Sequence, residues 1–375
     1  MRICFLMISH WSGNLGGAEI QVKYIMDYLR SHTTHELSYI CRKTSMSNEE
    51  EMPIYKIDFD NPVGKRFKIA DRSRILKLLK QIQPDVIYTR VSSGYVGIAS
   101  EYCQQYDCKL VYHIAHVEDV VPYSPTSIGK LPKFFERMLY IKGLKKADAV
   151  IGQATYQDEL LKQHYGKNCK AIIPNFHPLP EAVQGLDPAA KKKILWIANL
   201  KESKQPEAFL KMAAAFSDCK DLEFIIIGAL QQKKYETLPE QVASLPNVCY
   251  LGQKPIDEVN QLLEQAYVFV NTSMEGSEGF PNTYIQAWLR KVPVLTLHID
   301  PDNIIQELGL GRKSGNEENL VADLKFFLNN ISARNNAGEK GEAFAIAKYS
   351  TKNCKKLLAV LEEVTEKKPQ TDISK

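Results

Sequence analysis

VFVNTSMEGSEGFPNTYIQAWLRKVPVLTL, residues Val268–Leu297, decides how the rest of the chain is read. Two β-branched, apolar runs, Tyr267–Asn271 and Val292–Leu297, read as buried parallel strands, because a strand covered on both faces is apolar throughout. Between them lie Gly276 and Gly279, then Pro281 and an amphipathic segment. Pro281 suits a first helical turn, where its missing N–H would have no partner anyway. The order is strand, glycine loop, helix, strand. Such a loop sits at the carboxyl end of a strand, where α/β sheets take ligands, and a helix N-terminus offers free N–H groups to an anion. Glu278 lies in the loop and Gln286 about one turn into the helix. A carboxylate and an amide on one wall can hold a polyol while the helix end holds a phosphate, as a nucleotide-sugar pocket requires. The same pattern also describes a plain glycine-rich connection with an exposed glutamate, and the glycines alone do not separate the two.

The chain has 375 residues, enough for two ordinary domains. At 44% hydrophobic and 25% charged it has the composition of a globular protein. The net charge of +4 is uneven: residues 1–180 hold the basic excess and the remainder is slightly acidic. A basic first half fits a negatively charged surface or substrate, and fits scattered solvated lysines equally well. No nucleic-acid partner is expected. Eight cysteines (Cys4, Cys41, Cys103, Cys108, Cys169, Cys219, Cys249 and Cys354) form no two-residue-spaced pair. They read as reduced thiols of a cytosolic protein, not as a disulfide framework or a zinc site. No apolar run approaches the roughly 20 residues needed to span a bilayer. The opening run Arg2–Ile8 is too short for a signal segment and leads into a glycine-rich turn. The expected location is the cytoplasm.

In chain order, a strand Ile3–Ser9, a loop Gly13–Glu19 (GNLGGAE) and a helix Ala18–Arg30 begin a doubly wound domain. The GxGxxG spacing is absent, which argues against a dehydrogenase. Strands follow at Leu37–Cys41 and Ile54–Asp58, then a basic helix Gly64–Gln83. Strand Pro84–Arg90 ends in Arg90, placed either to reach a ligand or to pair with a surface acid. Strand Lys109–His116 ends in His116, with Glu118 and Asp119 after it; a lone histidine there is a ligand contact or a structural residue. Residues Ile128–Lys146 mix Phe134, Phe135, Met138, Leu139 and Tyr140 with Lys130, Lys133, Arg137, Lys142, Lys145 and Lys146. That helix either lies on an anionic membrane or packs its aromatics inward. Strands Ala147–Gly152 and Ala171–Asn175 close a first domain of residues 1–180. His177–Lys193, with three prolines, reads as a linker. A second domain, residues 194–348, holds strands Ile194–Ala198, Leu222–Gly228 and Val248–Leu251, with helices Pro206–Phe216 and Asp257–Gln265 before the opening stretch. Helices are expected at Asp300–Leu308, Glu317–Asn329, Asn335–Lys348 and Thr351–Glu366, then a polar tail, Lys367–Lys375.

Glu278-Gly279-Phe280-Pro281-Asn282, Gln286-Ala287-Trp288 and Val292-Pro293-Val294 together resemble the signature of the family 4 retaining glycosyltransferases. That signature has two glutamates separated by seven residues; this chain departs from it at the second, Gln286. The resemblance implies an α/β fold of two Rossmann-like domains facing across a cleft (GT-B), with the helix 351–366 packed back on the first domain. It implies a nucleotide diphosphate sugar as donor, a UDP-sugar favoured, and no metal or other cofactor. Glu278, His116 and Lys204 are then the expected catalytic residues, with Glu278 facing the transferred sugar. The expected donor-binding residues are Gly16 and Gly17 of the GGAE loop, Asn199, Lys204, Gly228, Gln253, Gly279, Phe280, Pro281, Asn282 and Gln286. Lys204 matches the lysine of the family's diphosphate clamp, while Asn199 stands where its arginine belongs and Lys201 is a candidate substitute. Arg90, His113 and Asp119 are candidate acceptor or sugar contacts. The implied reaction is retaining transfer to a saccharide or lipid-linked saccharide in cell-surface polysaccharide synthesis, with peripheral contact at the inner membrane face. Two other readings stay open: a nucleotide-sugar epimerase of the same fold, and a non-catalytic nucleotide-sugar-binding protein, which Asn199 and Gln286 motivate.

Overall fold

The structure, a computed structural model, describes residues 1–12, 16–42, 53–57, 68–90, 92–123, 131–181, 186–187, 189–278 and 280–366. The chain forms two compact units, Met1–Phe176 with the segment from Thr351 onward, and His177–Ser350.

The first unit is built on a parallel sheet of β1 (Arg2–Leu6), β2 (Glu36–Cys41), β3 (Ile54–Lys56), β4 (Val86–Thr89), β5 (Lys109–His113), β6 (Ala149–Gly152) and β7 (Ala171–Ile172). Their spatial order is β3-β2-β1-β4-β5-β6-β7, so the winding reverses between β1 and β4, where Phe5 lies beside Tyr88. Ile3, Cys4, Phe5 and Leu6 are fully buried, as a strand with both faces covered must be. The helix Gly17–His32 contributes a buried Gln21, whose amide donates to Phe176 O at 2.9 Å and accepts from Phe176 N–H at 3.0 Å. The last helix, Lys352–Thr365, also belongs to this unit. It buries Cys354, Leu357 and Leu361, and Asn353 Nδ2 donates to the carbonyls of Pro174 and Asn175.

The second unit repeats the plan with β8 (Lys192–Ile197), β9 (Leu222–Ile227), β10 (Val248–Tyr250), β11 (Ala266–Asn271), β12 (Val294–Thr296) and β13 (Gly311–Lys313). The order β10-β9-β8-β11-β12-β13 is the doubly wound order 3-2-1-4-5-6, with its reversal between β8 and β11. The helix Pro206–Ala214 covers one face, where Phe209 packs tilted against Trp196 (6.4 Å) and edge-on to Phe224 (5.7 Å). All eight cysteines are free thiols.

Several expected boundaries move. The strand expected to run to His116 stops at His113, because the Asp119 carboxylate takes the N–H groups of Ala115 (2.8 Å) and His116 (3.0 Å) into a 3-10 turn. The helix expected from Gly64 begins at Arg72, after a 3-10 turn Lys68–Asp71 whose Asp71 is tied to Arg42 and to the Tyr95 hydroxyl; residues 64–67 lie outside the described residues. The expected linker is partly structured: His177 is buried and its N–H donates to Tyr349 O at 2.9 Å. The helix expected at Asn335–Lys348 extends to Ile331–Tyr349. Helices Gly94–Gln105 and Thr155–Tyr165 and strand β13 had no separate reading in the sequence. The tail Lys367–Lys375 lies outside the described residues.

Gly228 sets how closely the ends of β8 and β9 approach. Its φ is +153°, and a Cβ there would fall 1.8 Å from Ala198 O. We expect Gly228→Ala to destabilise the chain by about 2–3 kcal/mol, an overpacking cost, read as a lower urea midpoint at unchanged slope. An unchanged midpoint would show that the two strand ends separate freely.

Candidate active site

The reversal between β8 and β11 places two strand exits side by side. From β8 the chain passes Asn199, Leu200 and Lys201 into a 3-10 turn, Glu202–Lys204. Gln205 then adopts a left-handed conformation (φ 44°) before Pro206 starts the next helix. A non-glycine residue in that region is strained, and such strain gathers at functional sites. From β11 the chain passes Thr272 and Ser273 to Glu278. The two exits are laced together: Thr272 Oγ1 donates to Lys204 O at 2.7 Å and accepts from Trp196 Nε1 at 2.8 Å, and Met274 N–H donates to Ser203 O at 2.9 Å.

On this frame Lys204 Nζ forms an ion pair with Glu278 Oε1, their side chains only 13% and 18% exposed. The Ser273 hydroxyl donates to the same oxygen, and Asn271 Nδ2 approaches it at 3.4 Å. Burial pushes the Glu278 carboxyl up, but the Lys204 ammonium and these donors outweigh it and hold it below its ordinary 4.5. Burial pulls the Lys204 ammonium down, Glu278 opposes that, and nearby Lys201 adds to it. Lys201 is thus a second cation within electrostatic reach, half-buried, and no carboxylate pairs with it among the described residues.

The other expected donor-site residues fall around this pair. Asn199 Oδ1 accepts from Ala229 N–H at a long 3.4 Å. Both backbone groups of Gly228 bond to the end of β10: its N–H donates to Gly252 O at 2.9 Å and its carbonyl accepts from the Tyr250 hydroxyl at 2.8 Å, which brings exposed Gln253 alongside. Gln286, on the helix Asn282–Trp288, is 4% exposed, and its Nε2 donates to Asn260 Oδ1 at 3.2 Å. Phe280 packs on Tyr349 at 4.8 Å; Pro281 is buried and caps that helix; Asn282 hydrogen-bonds the buried ring of His177. Gly279 lies outside the described residues.

The residues expected from the first half lie in the first unit. Gly16 caps the helix Gly17–His32, its carbonyl accepting from Ile20 N–H at 3.1 Å, and Gly17 is exposed. His116 is exposed. Asp119 is 1% exposed and occupied by backbone amides. His113 is buried between the Tyr88 hydroxyl (2.8 Å) and Ile173 O (3.0 Å), and burial holds it neutral, well below its ordinary 6.5. Arg90 is 2% exposed and its Nη2 donates to Asn175 Oδ1 at 2.7 Å. Sequence reading missed Asn271, Thr272, Ser273 and Asn260. The first three had a signal, a run of small polar residues closing an apolar strand. Among the described residues no group of three His, Cys, Asp or Glu side chains is placed to hold a metal ion.

Two doubly wound units are the architecture of the GT-B class of glycosyltransferases, and in this chain the second carries a buried lysine–glutamate pair at its switch point. The glycosyltransferase family 4 profile matches residues 15–179, and the profile for glycosyl transferases group 1 matches residues 191–330. The chain belongs to this glycosyltransferase family. No curated protein sequence matches it. Among solved structures it is similar to HepE from Anabaena in complex with UDP-glucose (16% identity, TM-score 0.73, covering 97% of this chain and 100% of that one). It is also similar to sucrose-phosphate synthase from Thermosynechococcus elongatus (16%, 0.75, 97% and 98%). A third is WaaG, a glycosyltransferase involved in lipopolysaccharide biosynthesis (12%, 0.73, 97% and 100%). At these identities the likeness is one of fold.

The depressed Glu278 carboxyl fixes the sign of a pH effect. Its stabilisation is fully present above the unfolded value, near 4.3, and is lost as pH falls through the lower folded value. We expect the stability gap between the parent chain and Glu278→Gln to be widest at neutral pH and to shrink below pH 4.5. Urea unfolding of both proteins across that range checks this; a constant gap would mean that Glu278 is not held as the charged partner.

Proposed function

We propose that this chain is a retaining hexosyltransferase acting on a nucleotide diphosphate sugar, with UDP-sugar the favoured donor and a saccharide or lipid-linked saccharide as acceptor. The context we propose is cell-surface polysaccharide synthesis. The observation that carries the reading is the buried Lys204–Glu278 pair with Lys201 beside it. When the bond between the anomeric carbon and the diphosphate breaks, negative charge grows on the leaving oxygens. Lys204 and Lys201 are cations already fixed in a partly dry site, where they stabilise that charge without reorganising. Glu278 Oε atoms accept from hydroxyls of the transferred sugar. The acceptor hydroxyl forms the new bond on the face the diphosphate leaves, and its proton passes to a released phosphate oxygen. Two lysines supply the neutralising charge, so the proposal includes no metal ion. The HepE structures with UDP and UDP-glucose support the choice of donor class.

The membrane part of the proposal rests on the helix Leu131–Lys146. Phe135 (64% exposed) and Met138 (51%) stand on one stripe with exposed Lys142, Lys145 and Lys146, while Arg137 turns inward to the carbonyls of Glu118, Asp119 and Val121. Apolar side chains flanked by lysines suit an anionic bilayer surface. We expect the protein to sediment with vesicles rich in anionic lipid at low salt, and Phe135→Ser with Met138→Ser to release it. Equal sedimentation of parent and double variant would remove this element. Among the described residues no helix is long and apolar enough to cross a membrane.

Thermal unfolding with UDP-, GDP-, ADP- and CMP-sugars, chelator present, tests the donor reading, because binding to the folded state raises Tm. We expect a UDP-sugar to raise it, and Lys204→Ala and Glu278→Ala each to lower turnover by roughly 10²–10³-fold. Asn199 and Gln286 favour one rival, a nucleotide-sugar-binding protein without catalysis. Binding without turnover, unchanged by Gln286→Glu, would establish that rival.

A further inference from the structure

The first sheet has a switch point of its own, between β1 and β4, and buried polar atoms without partners gather near it. Among the described residues, His10 Nε2, Thr89 Oγ1 and Arg90 Nε are each buried with no hydrogen-bond partner. Thr89 ends β4, Arg90 follows it, and His10 lies four residues beyond β1. Buried polar atoms are almost always paired, so a group of exceptions on neighbouring strand exits requires an explanation.

All three can donate, and two of them, on His10 and Arg90, are N–H groups. Ser12 N–H donates to His10 Nδ1 at 3.2 Å, which leaves the ring proton on Nε2. Burial lowers this histidine to about 4, so the ring is neutral at physiological pH. Arg90 is always a cation, yet it is 2% exposed and pairs with no carboxylate among the described residues. Its neighbours do not supply the missing charge: Asn175 is neutral, and the Tyr88 hydroxyl donates to a neutral His113. A buried guanidinium without a counter-ion is unfavourable, and this chain keeps one where an α/β sheet takes its ligand.

We infer that the first unit binds an oxyanion, the phosphoryl group of the acceptor, through Arg90, with His10 Nε2–H as a further donor to the same molecule. Either a phosphorylated sugar or a lipid phosphate carries that group. The inference rests on the transferase reading, whose acceptor class it names.

The test is thermal unfolding of the full chain carrying Lys204→Met with Lys201→Met, which removes both cations of the donor site, at constant ionic strength. The probes are inorganic phosphate, a hexose phosphate and a short prenyl phosphate, with chloride as control. We expect at least one phosphate to raise Tm. The hexose compound acting best would point to a soluble acceptor, the prenyl compound to a lipid. Adding Arg90→Gln is expected to abolish the shift, and Arg90→Lys, which keeps the cation that the fold tolerates, to weaken binding roughly tenfold by losing the guanidinium's paired donors. His10→Phe is expected to weaken it several-fold. No shift with any phosphate, or the same affinity in Arg90→Lys as in its parent, overturns the assignment. The parent chain titrated with UDP separates the failures: a UDP response without a phosphate response removes Arg90's role alone, whereas silence to both removes the transferase reading as well.

Discussion

Placing Lys204 against Glu278 takes two charges out of water, and their attraction offsets that loss only where the remaining hydrogen-bonding positions are filled. The second unit fills them locally. Ser273 and Asn271 donate to the carboxylate. The backbone that carries Lys204 is fixed by Thr272, and Thr272 in turn by the indole of Trp196 in the core. The pair is therefore set by the sheet itself: the adjacency of β8 and β11 brings the two exits together, and Gln205, in the left-handed region, joins the Lys204 turn to the next helix. Removing one member would strand the other, at a cost of about 3–5 kcal/mol, which ties the chemistry of the site to the stability of its unit.

The two units use one topology with opposite electrostatics. At the second switch point the charges are balanced within the protein, and Lys201 adds a positive excess beside them. At the first, a neutral buried histidine, His113, lies near Arg90, and no carboxylate pairs with that arginine among the described residues. Identical winding of strands fixes where a ligand can go; the polar residues at the strand exits fix what it is.

The second unit was the more legible in the sequence, and the reason is physical. Strands buried on both faces are apolar runs, and the glycines and proline between β11 and β12 mark their turns unaided. The lysine at position 204 and the glutamate at 278 could be nominated from motif alone, but not their contact, which depends on strand order. Polar groups that serve the interior were misread. His177 lies among prolines and looked like linker, yet it is buried and bonded to Asn282. His116 and Asp119 looked like a ligand pair, but Asp119 caps a turn and cuts the strand short. The helix Gly94–Gln105 escaped notice because it is buried almost all round and so lacks a polar stripe; Gly97 lets it meet Leu139 so closely that a Cβ would fall 2.4 Å from that residue's carbonyl oxygen.

Residues 177–350 form a complete sheet interrupting another unit, and the two ends of that insertion are joined by the His177–Tyr349 backbone bond. This inverts the order in which a growing chain can mature. The seven strands of the first sheet leave the ribosome early, but the helix that buries Cys354, Leu357 and Leu361 is made only after residues 177–350. The inserted unit has every strand it needs before then, and domains fold as units. The amino-terminal half must accordingly wait, with part of its apolar surface uncovered, while the later sequence closes its core ahead of it.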